Sequence, residues 1–172
     1  MSTVRKATPS DLQRIMQLVE MARGIMRSDG NMTQWDNGYP DEKAILEDIE
    51  AGNGYMVSDQ GYFALIEGPD PCYGIIQGEW LYDNPYYVIH RIASTPDSHG
   101  IMSSILEYAF RTSSDIRIDT HEDNHIMQHI LTKAGFSCCG VIHLKDGAPR
   151  LAFEKRILQP LPDCIHLDPV DP

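Results

Sequence analysis

Apolar residues recur at intervals of three and four between Leu12 and Met26, which is the spacing of one face of an α-helix. Pro9 precedes this stripe at a position typical of the first turn of a helix. A second stretch with helix signals begins after Pro40. The pattern predicts a short strand over residues 4–8 and helices over residues 8–29 and 41–52.

Short apolar runs separated by turn residues follow and are typical of β-strands. Four of them are predicted to form a meander over residues 55–59, 62–68, 72–81 and 86–94. Helices are then predicted over residues 101–114 and 123–135, and strands over residues 116–120, 136–144 and 150–157. This order predicts one domain of the α/β (α+β) class over residues 1–156. Residues 157–172 form a proline-rich tail that can neither continue a helix nor sit in a central strand.

The net charge of the chain limits the classes of molecule that it is expected to bind. The chain of 172 residues carries a formal net charge of -11, which repels phosphate backbones and anionic membrane surfaces. No apolar run approaches the roughly 20 residues needed to span a bilayer, and the N-terminus has no hydrophobic signal core. We therefore expect a cytoplasmic protein that acts on a small molecule, with neither nucleic acid nor a membrane as its partner.

The segment STPDSHGIMSSIL, residues 94–106, joins a strand-like run to an amphipathic helix. Such a turn directs unpaired backbone N–H groups and a helix N-terminus toward one point, where anions bind. Asp97 is unfavourable there because a phosphate favours a cation, and Gly100 is the one glycine of the turn. The segment alone is compatible with a pyrophosphate site and with an ordinary capped helix start.

Three segments together resemble the GNAT superfamily of acyl-CoA-dependent N-acetyltransferases, namely HRIASTPDSHGIMSSIL, DTHEDNHIMQHILTKAGF and GVIHLKDGAPRLAFEK. QWDNGYP, residues 34–40, resembles the substrate-side loop of a bacterial branch of that superfamily. The resemblance covers residues 4–155 and implies a mixed, mostly antiparallel central sheet with helices on both faces. It also implies acetyl-CoA as acyl donor, no metal, and a small-molecule amine as acceptor.

The resemblance places acetyl-CoA at the turn before the third helix. Gly100 is the part of the family's loop pattern that is kept, because Asp97 replaces the usual Gln or Arg and Met102 replaces a small residue. Backbone N–H groups carry the pyrophosphate, so the cradle can survive these changes. The positions that the resemblance assigns to acetyl-CoA are Ile92, Ser94, Ser98, His99, Gly100, Ile101, Met102, Ser103 and Asn124.

Acetylation of an amine requires a base that accepts a proton and a donor for the developing oxyanion. The candidate bases are Glu79 and His90, on predicted strands that line the cleft, and His121, at the end of a third strand. Trp35 and Tyr39 are expected to form walls of the amine site, where an aromatic face holds a cation or an apolar group.

Other interpretations remain open. Leu131 stands where the family often has a Tyr that protonates the leaving thiolate. This loss and the altered loop allow an alternative function, a GNAT-fold acyl-CoA binder without catalysis that acts as a sensor or interaction module. HEDNH, residues 121–125, matches a zinc-protease pattern, but the predicted strand ends there, so the two histidines would not share a helix face. An exposed late strand pair is compatible with a homodimer.

Overall fold

The chain forms eight strands and four helices in the computed structural model, which describes residues 2–158. The strands are β1 (Val4–Lys6), β2 (Gly54–Val57), β3 (Gly61–Glu67), β4 (Gln77–Gly78), β5 (Tyr87–Ser94), β6 (Asp115–Thr120), β7 (Ser137–His143) and β8 (Pro149–Arg156). The helices are α1 (Leu12–Ser28), α2 (Glu42–Glu50), α3 (Ile101–Thr112) and α4 (His125–Lys133). The predicted order of strands and helices is confirmed.

All eight strands belong to one sheet, in the order β1-β2-β3-β5-β6-β8-β7-β4. Neighbouring strands are antiparallel except β5 and β6, which are parallel. α1 and α2 pack on one face, against Met56 and Tyr62, and α3 and α4 pack on the other, against Phe63 and Ile116. Successive residues of a strand point to opposite faces, so Tyr62 and Phe63 enter different cores. The predicted mostly antiparallel sheet with helices on both faces is confirmed.

The prediction of a meander strand over residues 72–81 is wrong. β3 pairs directly with β5, as shown by the register of Ala64 with His90. The chain between β3 and β5 crosses one face of the sheet and forms a 3-10 turn at Pro71–Tyr73. It then adds the two-residue strand β4, which pairs with β7 at the far edge of the sheet.

Residues 68–86, the crossing segment, are rich in apolar side chains because they cover a face of the sheet. Tyr73 is buried there on Val88 and Ala152, and Trp80 packs beside it. An apolar run that faces a core resembles a buried strand in sequence, whereas Gly and Pro residues within the segment prevent regular pairing. Burial without pairing therefore explains why the pattern predicts a meander strand over residues 72–81 where the structure has the two-residue β4.

The parallel pair of β5 and β6 extends over two positions and ends at Val88 and Arg117. Just beyond, Arg91 and Ile92 of β5 both lie opposite Phe63 of β3, which is a β-bulge. Arg91 has a φ of 53°, a left-handed conformation that is uncommon for a residue with a side chain. Beyond Val88 and Arg117, β5 and β6 are unpaired, and the space between them is called the gap below.

All described strands and helices lie within residues 1–156. Residues 159–172, which make up most of the predicted proline-rich tail, lie outside the described residues. Within residues 2–158, none of the helices has the length and apolar character that a bilayer span requires.

Two acidic side chains are buried near the start of β6. Asp115 and Glu154 are each 0% exposed, and in the described part of the chain no N–H or hydroxyl group donates to a carboxylate oxygen of Asp115. Glu154 accepts from Nε of Arg117 at 3.0 Å and from the backbone N–H of Leu81 at 2.6 Å. Burial and the neighbouring Glu154 raise the pKa of Asp115 to about 7.

Replacing Asp115 by Asn is expected to stabilise the protein more at alkaline than at acidic pH. In the unfolded chain an Asp carboxyl loses its proton near pH 4, whereas folded Asp115 keeps it to about pH 7. Folding therefore becomes less favourable as the pH rises from about 4 to about 7, and this penalty is complete above that range. Asn does not titrate, so its advantage in free energy of unfolding should grow by about 3 kcal/mol between about pH 5 and about pH 8. Urea denaturation measures the difference, and an equal effect at both pH values would show that folded Asp115 is ionised throughout.

Candidate active site

Polar side chains from three elements meet at the gap, on the face that α1, α2 and the crossing segment cover. His90 comes from β5, Asp119 from β6 and Asp70 from the crossing segment. Their side chains are 21%, 10% and 17% exposed, respectively, so each is mostly buried and still reaches solvent. Partial burial strengthens interactions between charged groups and is typical of active sites.

Asp70 holds His90 in one tautomer. Nε2 of His90 lies 2.9 Å from Oδ2 of Asp70, and a carboxylate can only accept a hydrogen bond. Nε2 therefore carries the proton of the neutral ring, and Nδ1 has a free lone pair. Burial alone would raise the pKa of Asp70, but hydrogen bonds from His90 and from the backbone N–H of Cys72 outweigh burial and place this pKa below its ordinary value.

The second ring nitrogen of His90 faces Asp119. Nδ1 lies 3.9 Å from Oδ2 of Asp119, which is too far for a hydrogen bond. The same Oδ2 accepts a hydrogen bond of 2.6 Å from the hydroxyl of Tyr73. Burial, together with the charge of Asp119, raises the pKa of Tyr73 well above its usual value. Tyr73 therefore remains a donor and fixes the Asp119 carboxylate beside the lone pair of His90.

Asp70, Tyr73 and Asp119 are site residues that the sequence patterns miss. Asp70 lies in GPDP, which is typical of a turn, and Tyr73 lies in the run that predicts a strand. A signal exists for Asp119, because in IRIDT it alternates with isoleucines and so belongs to the less apolar face. The contact of Asp70 with His90 depends on the path of the crossing segment, which has no local signal.

Glu79 lies apart from His90. It follows β4 at the far edge of the sheet, its side chain is exposed, and its backbone N–H donates to the carbonyl of Cys139 at 3.1 Å. Between β5 and β4 come β6, β8 and β7, which corresponds to a lateral distance of about 19 Å. The expectation that Glu79 stands on a strand lining the cleft is therefore wrong.

Both ring nitrogens of His121 are occupied. Nδ1 accepts a hydrogen bond from the backbone N–H of Asp123 at 3.0 Å, so in the neutral ring the proton is on Nε2, which lies 3.0 Å from Oγ1 of Thr33. These contacts favour an anchoring role for His121.

β6 ends at Thr120 and α4 begins at His125, so HEDNH is not a helical zinc motif. Within residues 2–158, no group of three or more His, Cys, Asp or Glu side chains is arranged to hold a metal ion.

Residues 31–40, the Trp35 loop, connect the two halves of the sheet across the gap. Arg23 and Arg27 of α1 together donate to four backbone carbonyls of this loop. On the other side, Asn124 caps α4 with Oδ1 and donates from Nδ2 to Oε1 of Gln34 at 3.0 Å. The loop is thus bound both to α1, which packs on the half that contains β5, and to α4, which packs on the half that contains β6.

Tyr39 and Trp35 are placed by different contacts. Arg91 forms a bidentate ion pair with the buried Asp48 of α2 and donates from Nη1 to the hydroxyl of Tyr39 at 2.9 Å. Tyr39 is 45% exposed, so its ring is open to a ligand. Trp35 is partly buried against the core beneath α1 and α2. Asp48 belongs to α2, which packs on the face that His90 occupies, so this network holds Tyr39 on the same side of the sheet as His90.

The start of α3 offers three free backbone donors. Gly100 precedes the helix with a φ of 74°, and among the described residues no side chain caps it. The N–H of Ser104 donates to the carbonyl of Gly100 at 3.0 Å, whereas the N–H groups of residues 101–103 have no partner in the described chain. The Ser98 hydroxyl is occupied, since it donates to the carbonyl of Thr95 at 2.7 Å.

The other positions predicted for acetyl-CoA lie around this helix start and along β5. Ile92 and Ser94 belong to the part of β5 that has no β6 partner. Ile101 and Met102 direct their side chains into the core, so only their backbone is available to a ligand. His99 is exposed at the turn, and Ser103 is exposed on the first turn of α3. The structure therefore brings most of these residues together, largely through backbone groups.

An extended molecule with amide groups and an anionic end fits this arrangement. Oγ1 of Thr120 is buried and has no hydrogen-bond partner in the described part of the chain. By strand alternation Thr120 points to the same face as Ile116, toward α3 and α4. The orphan hydroxyl, the unpaired edge of β5 and the free donors of α3 suit the amide-bearing arm and the pyrophosphate of acetyl-CoA. Leu131 is buried in the core and supplies no hydroxyl.

No family model matches the sequence, and neither does any curated protein. Among solved structures, a GNAT-family acetyltransferase from Streptococcus agalactiae 2603 is 35% identical, with a TM-score of 0.82 over 92% of this chain and 96% of that chain. A GNAT-family acetyltransferase from Listeria monocytogenes 4b F2365 is 20% identical, with a TM-score of 0.67 over 91% of this chain and 95% of that chain. A chain of the NatC complex bound to Gag peptide and CoA shares the fold at 10% identity, with a TM-score of 0.57 over 91% of this chain and 98% of that chain.

The resemblance inferred from the three sequence segments is confirmed by these similarities. The streptococcal acetyltransferase and this chain match over nearly their whole lengths. Their sequence identity is also higher than a shared fold alone implies. The parted strands, the β-bulge and the uncapped start of α3 lie in the segments that carried the resemblance. The chain belongs to the GNAT family of acetyltransferases.

Proposed function

We propose that the protein transfers the acetyl group of acetyl-CoA to the primary amine of a small molecule by direct attack within a ternary complex. The observation that carries this proposal is the position of His90 between Asp70 and Asp119 where β5 and β6 part. A base at an opening through the sheet lets a donor and an acceptor approach from opposite faces. Their reacting groups are then held together by binding, which removes much of the entropic cost of reaction.

The residues around the gap support acetyl-CoA as the donor. The free N–H groups of residues 101–103 and the dipole of α3 stabilise a pyrophosphate, and His99 adds positive charge when it is protonated. Thr120 and the unpaired edge of β5 offer hydrogen bonds to the amides of the arm. When bound, acetyl-CoA supplies an activated thioester, and CoA is bound in the structurally similar NatC complex.

His90 is the general base in this proposal. Its Nδ1 accepts a proton from the acceptor, while Asp70 holds Nε2–H and stabilises the imidazolium that forms. Overall, R–NH3+ and acetyl-CoA give R–NH–CO–CH3, CoA–SH and H+, so that an N–C bond forms and a C–S bond breaks. Of the two protons that nitrogen loses, one passes through His90 to solvent and the other ends on sulfur.

The β-bulge supplies the donor for the developing oxyanion. Because Arg91 and Ile92 share one opposing residue, Phe63, the hydrogen-bond ladder is disrupted beside the gap, and a backbone N–H of this bulge is the oxyanion donor in this proposal. The left-handed conformation of Arg91 is costly and is held by the ion pair with Asp48. A fixed N–H at this point stabilises negative charge without reorganising during the reaction.

One observation favours the alternative, an acyl-CoA binder without catalysis. Leu131 is 0% exposed and apolar, so the helix that follows β6 offers no proton donor at this position. A CoA thiolate is a good leaving group, however, and its protonation does not require a dedicated residue. Binding and turnover measured on the same variants separate the two functions.

Substituting His90 by Gln is expected to lower kcat/KM by about 100-fold or more, because removing a general base costs two to four orders of magnitude. The affinity for acetyl-CoA should change by less than about 3-fold, since the pyrophosphate donors lie at the start of α3. Asp70→Asn removes the charge that stabilises the imidazolium and lets an amide NH2 face Nε2, which favours the wrong tautomer, so a loss of up to about 10⁴-fold is expected. CoA release with a panel of primary amines and calorimetric titration with acetyl-CoA measure the two quantities.

The control is Asp59→Asn, which removes an exposed carboxylate from the turn between β2 and β3 and should leave both quantities unchanged. Initial-rate plots against both substrates should give intersecting lines, as a ternary complex requires. Parallel lines would instead point to a covalent acetyl-enzyme. Tight binding of acetyl-CoA with no acetylation of any amine in the panel would make the binder without catalysis the better description.

Gly100→Val tests the acetyl-CoA site without reference to catalysis. A β-branched residue at a φ of 74° is strained, and relief of this strain redirects the N–H groups of residues 101–103. We expect the affinity for acetyl-CoA to fall by about 10-fold or more, which corresponds to ~1.4 kcal/mol.

Gly147→Val is the matched control for Gly100→Val. Gly147 has a φ of 85° and, like Gly100, open space where a Cβ would stand, but it lies in the turn between β7 and β8. The Gly147→Val variant should lose about as much thermal stability as the Gly100→Val variant and should keep its affinity for acetyl-CoA. Equal affinities of the two variants in the calorimeter would exclude the start of α3 as the binding site.

A further inference from the structure

We propose that the acceptor binds as an alkylammonium ion, with Asp119 and Nδ1 of His90 as its two hydrogen-bond partners. This inference rests on the proposed function and narrows its acceptor to primary amines that are protonated at neutral pH. Asp119 then binds the substrate and determines specificity, a role separate from that of the base.

The separation of the two partner atoms fits a donor placed between them. Nδ1 of His90 and Oδ2 of Asp119 are 3.9 Å apart and cannot bond to each other. An ammonium nitrogen at about 2.9 Å from each atom satisfies both, because two such hydrogen bonds bridge any separation up to about 5.8 Å. An ammonium group has several N–H donors and no acceptor, which matches a lone pair and a carboxylate.

The charges at this point favour a cation. Asp70 and Asp119 place two carboxylates beside one imidazole. The guanidinium of Arg91, the residue after His90, is paired with Asp48 and offsets only part of their charge. With a neutral imidazole the site is therefore negative, and a partly buried negative site is stabilised by an ion of opposite charge.

Tyr73 prepares Asp119 for this role without blocking it. Its hydroxyl occupies one lone-pair position of Oδ2 and fixes the carboxylate. In the described part of the chain, Oδ1 of Asp119 accepts no hydrogen bond. An ionised carboxylate accepts about four hydrogen bonds, so an ammonium adds to the contact with Tyr73. After proton transfer to Nδ1, the imidazolium lies between two carboxylates, which stabilise it.

This arrangement distinguishes acceptors by charge. Alkyl primary amines have pKa values near 10 and are ammonium ions at neutral pH, whereas aniline and alcohols are neutral there. A neutral acceptor leaves Asp119 without a cationic partner and loses the charge-assisted hydrogen bond. We therefore expect a preference for an alkylammonium ion over an alcohol of equal chain length and over aniline.

A binding experiment tests this preference without relying on turnover. The protein, saturated with CoA, is titrated in a calorimeter with pentylammonium chloride and with 1-pentanol. Pentylammonium is expected to bind at least about 10-fold more tightly, and Asp119→Asn to remove this difference, while Asp59→Asn keeps it. In ¹⁵N spectra of the wild-type ring nitrogens, pentylammonium should shift Nδ1 of His90 and leave those of His121 unchanged. Equal affinity for the two ligands, or an unshifted His90, would overturn the inference.

Turnover then separates the inference from the proposed function. With pentylamine, Asp119→Asn should lower kcat/KM by about 10- to 100-fold, chiefly through KM, and with aniline by less than about 3-fold. Acetylation of amines that is insensitive to Asp119→Asn overturns the ammonium site and leaves the acetyltransferase intact. Binding of pentylammonium at His90 without acetylation of any amine supports the site and overturns the proposed function.

Discussion

The early end of the pairing between β5 and β6 is the constraint on which the site depends. Two paired positions join the strands, and a β-bulge at Arg91 then turns β5 away. In an ordinary parallel pair the backbone groups beyond Val88 would bind each other. Here they stay unpaired and are open to a ligand. The conformation of Arg91 that accompanies the bulge is stabilised from outside the strand, by Asp48 of α2.

The chemistry at this gap is assembled from distant parts of the chain. His90 lies on β5, Asp119 lies on β6, and the crossing segment returns over the sheet to place Asp70 and Tyr73 against them. Each charged group has a partner that defines its protonation or its position. Asp70 sets the tautomer of the imidazole, and Tyr73 sets the carboxylate of Asp119. Partial burial makes these interactions stronger than they would be at the surface.

The element order was predictable from the sequence because helical and strand periodicities are local signals. The turn at Gly100 and the place of His90 on a strand also follow from local patterns, whereas the parting of β5 from β6 came only from the family resemblance. The crossing segment could not be predicted, because its apolar residues cover a face of the sheet and follow neither the helical nor the strand periodicity. Glu79 was consequently misplaced, and Asp70 was overlooked as a turn residue. The assignment of His121 as a base stays a prediction that its two hydrogen bonds disfavour.

The close contact between β4 and β7 restricts how this sequence can vary. A Cβ built on Gly78 would overlap the carbonyl oxygen of Cys139, and a Cβ on Gly140 would overlap that of Gln77. The two strands can thus pair without a backbone shift only while both positions are glycine. Because β4 fastens the crossing segment to the edge of the sheet, the position of Asp70 beside His90 depends in part on two glycines that contact none of the reacting groups.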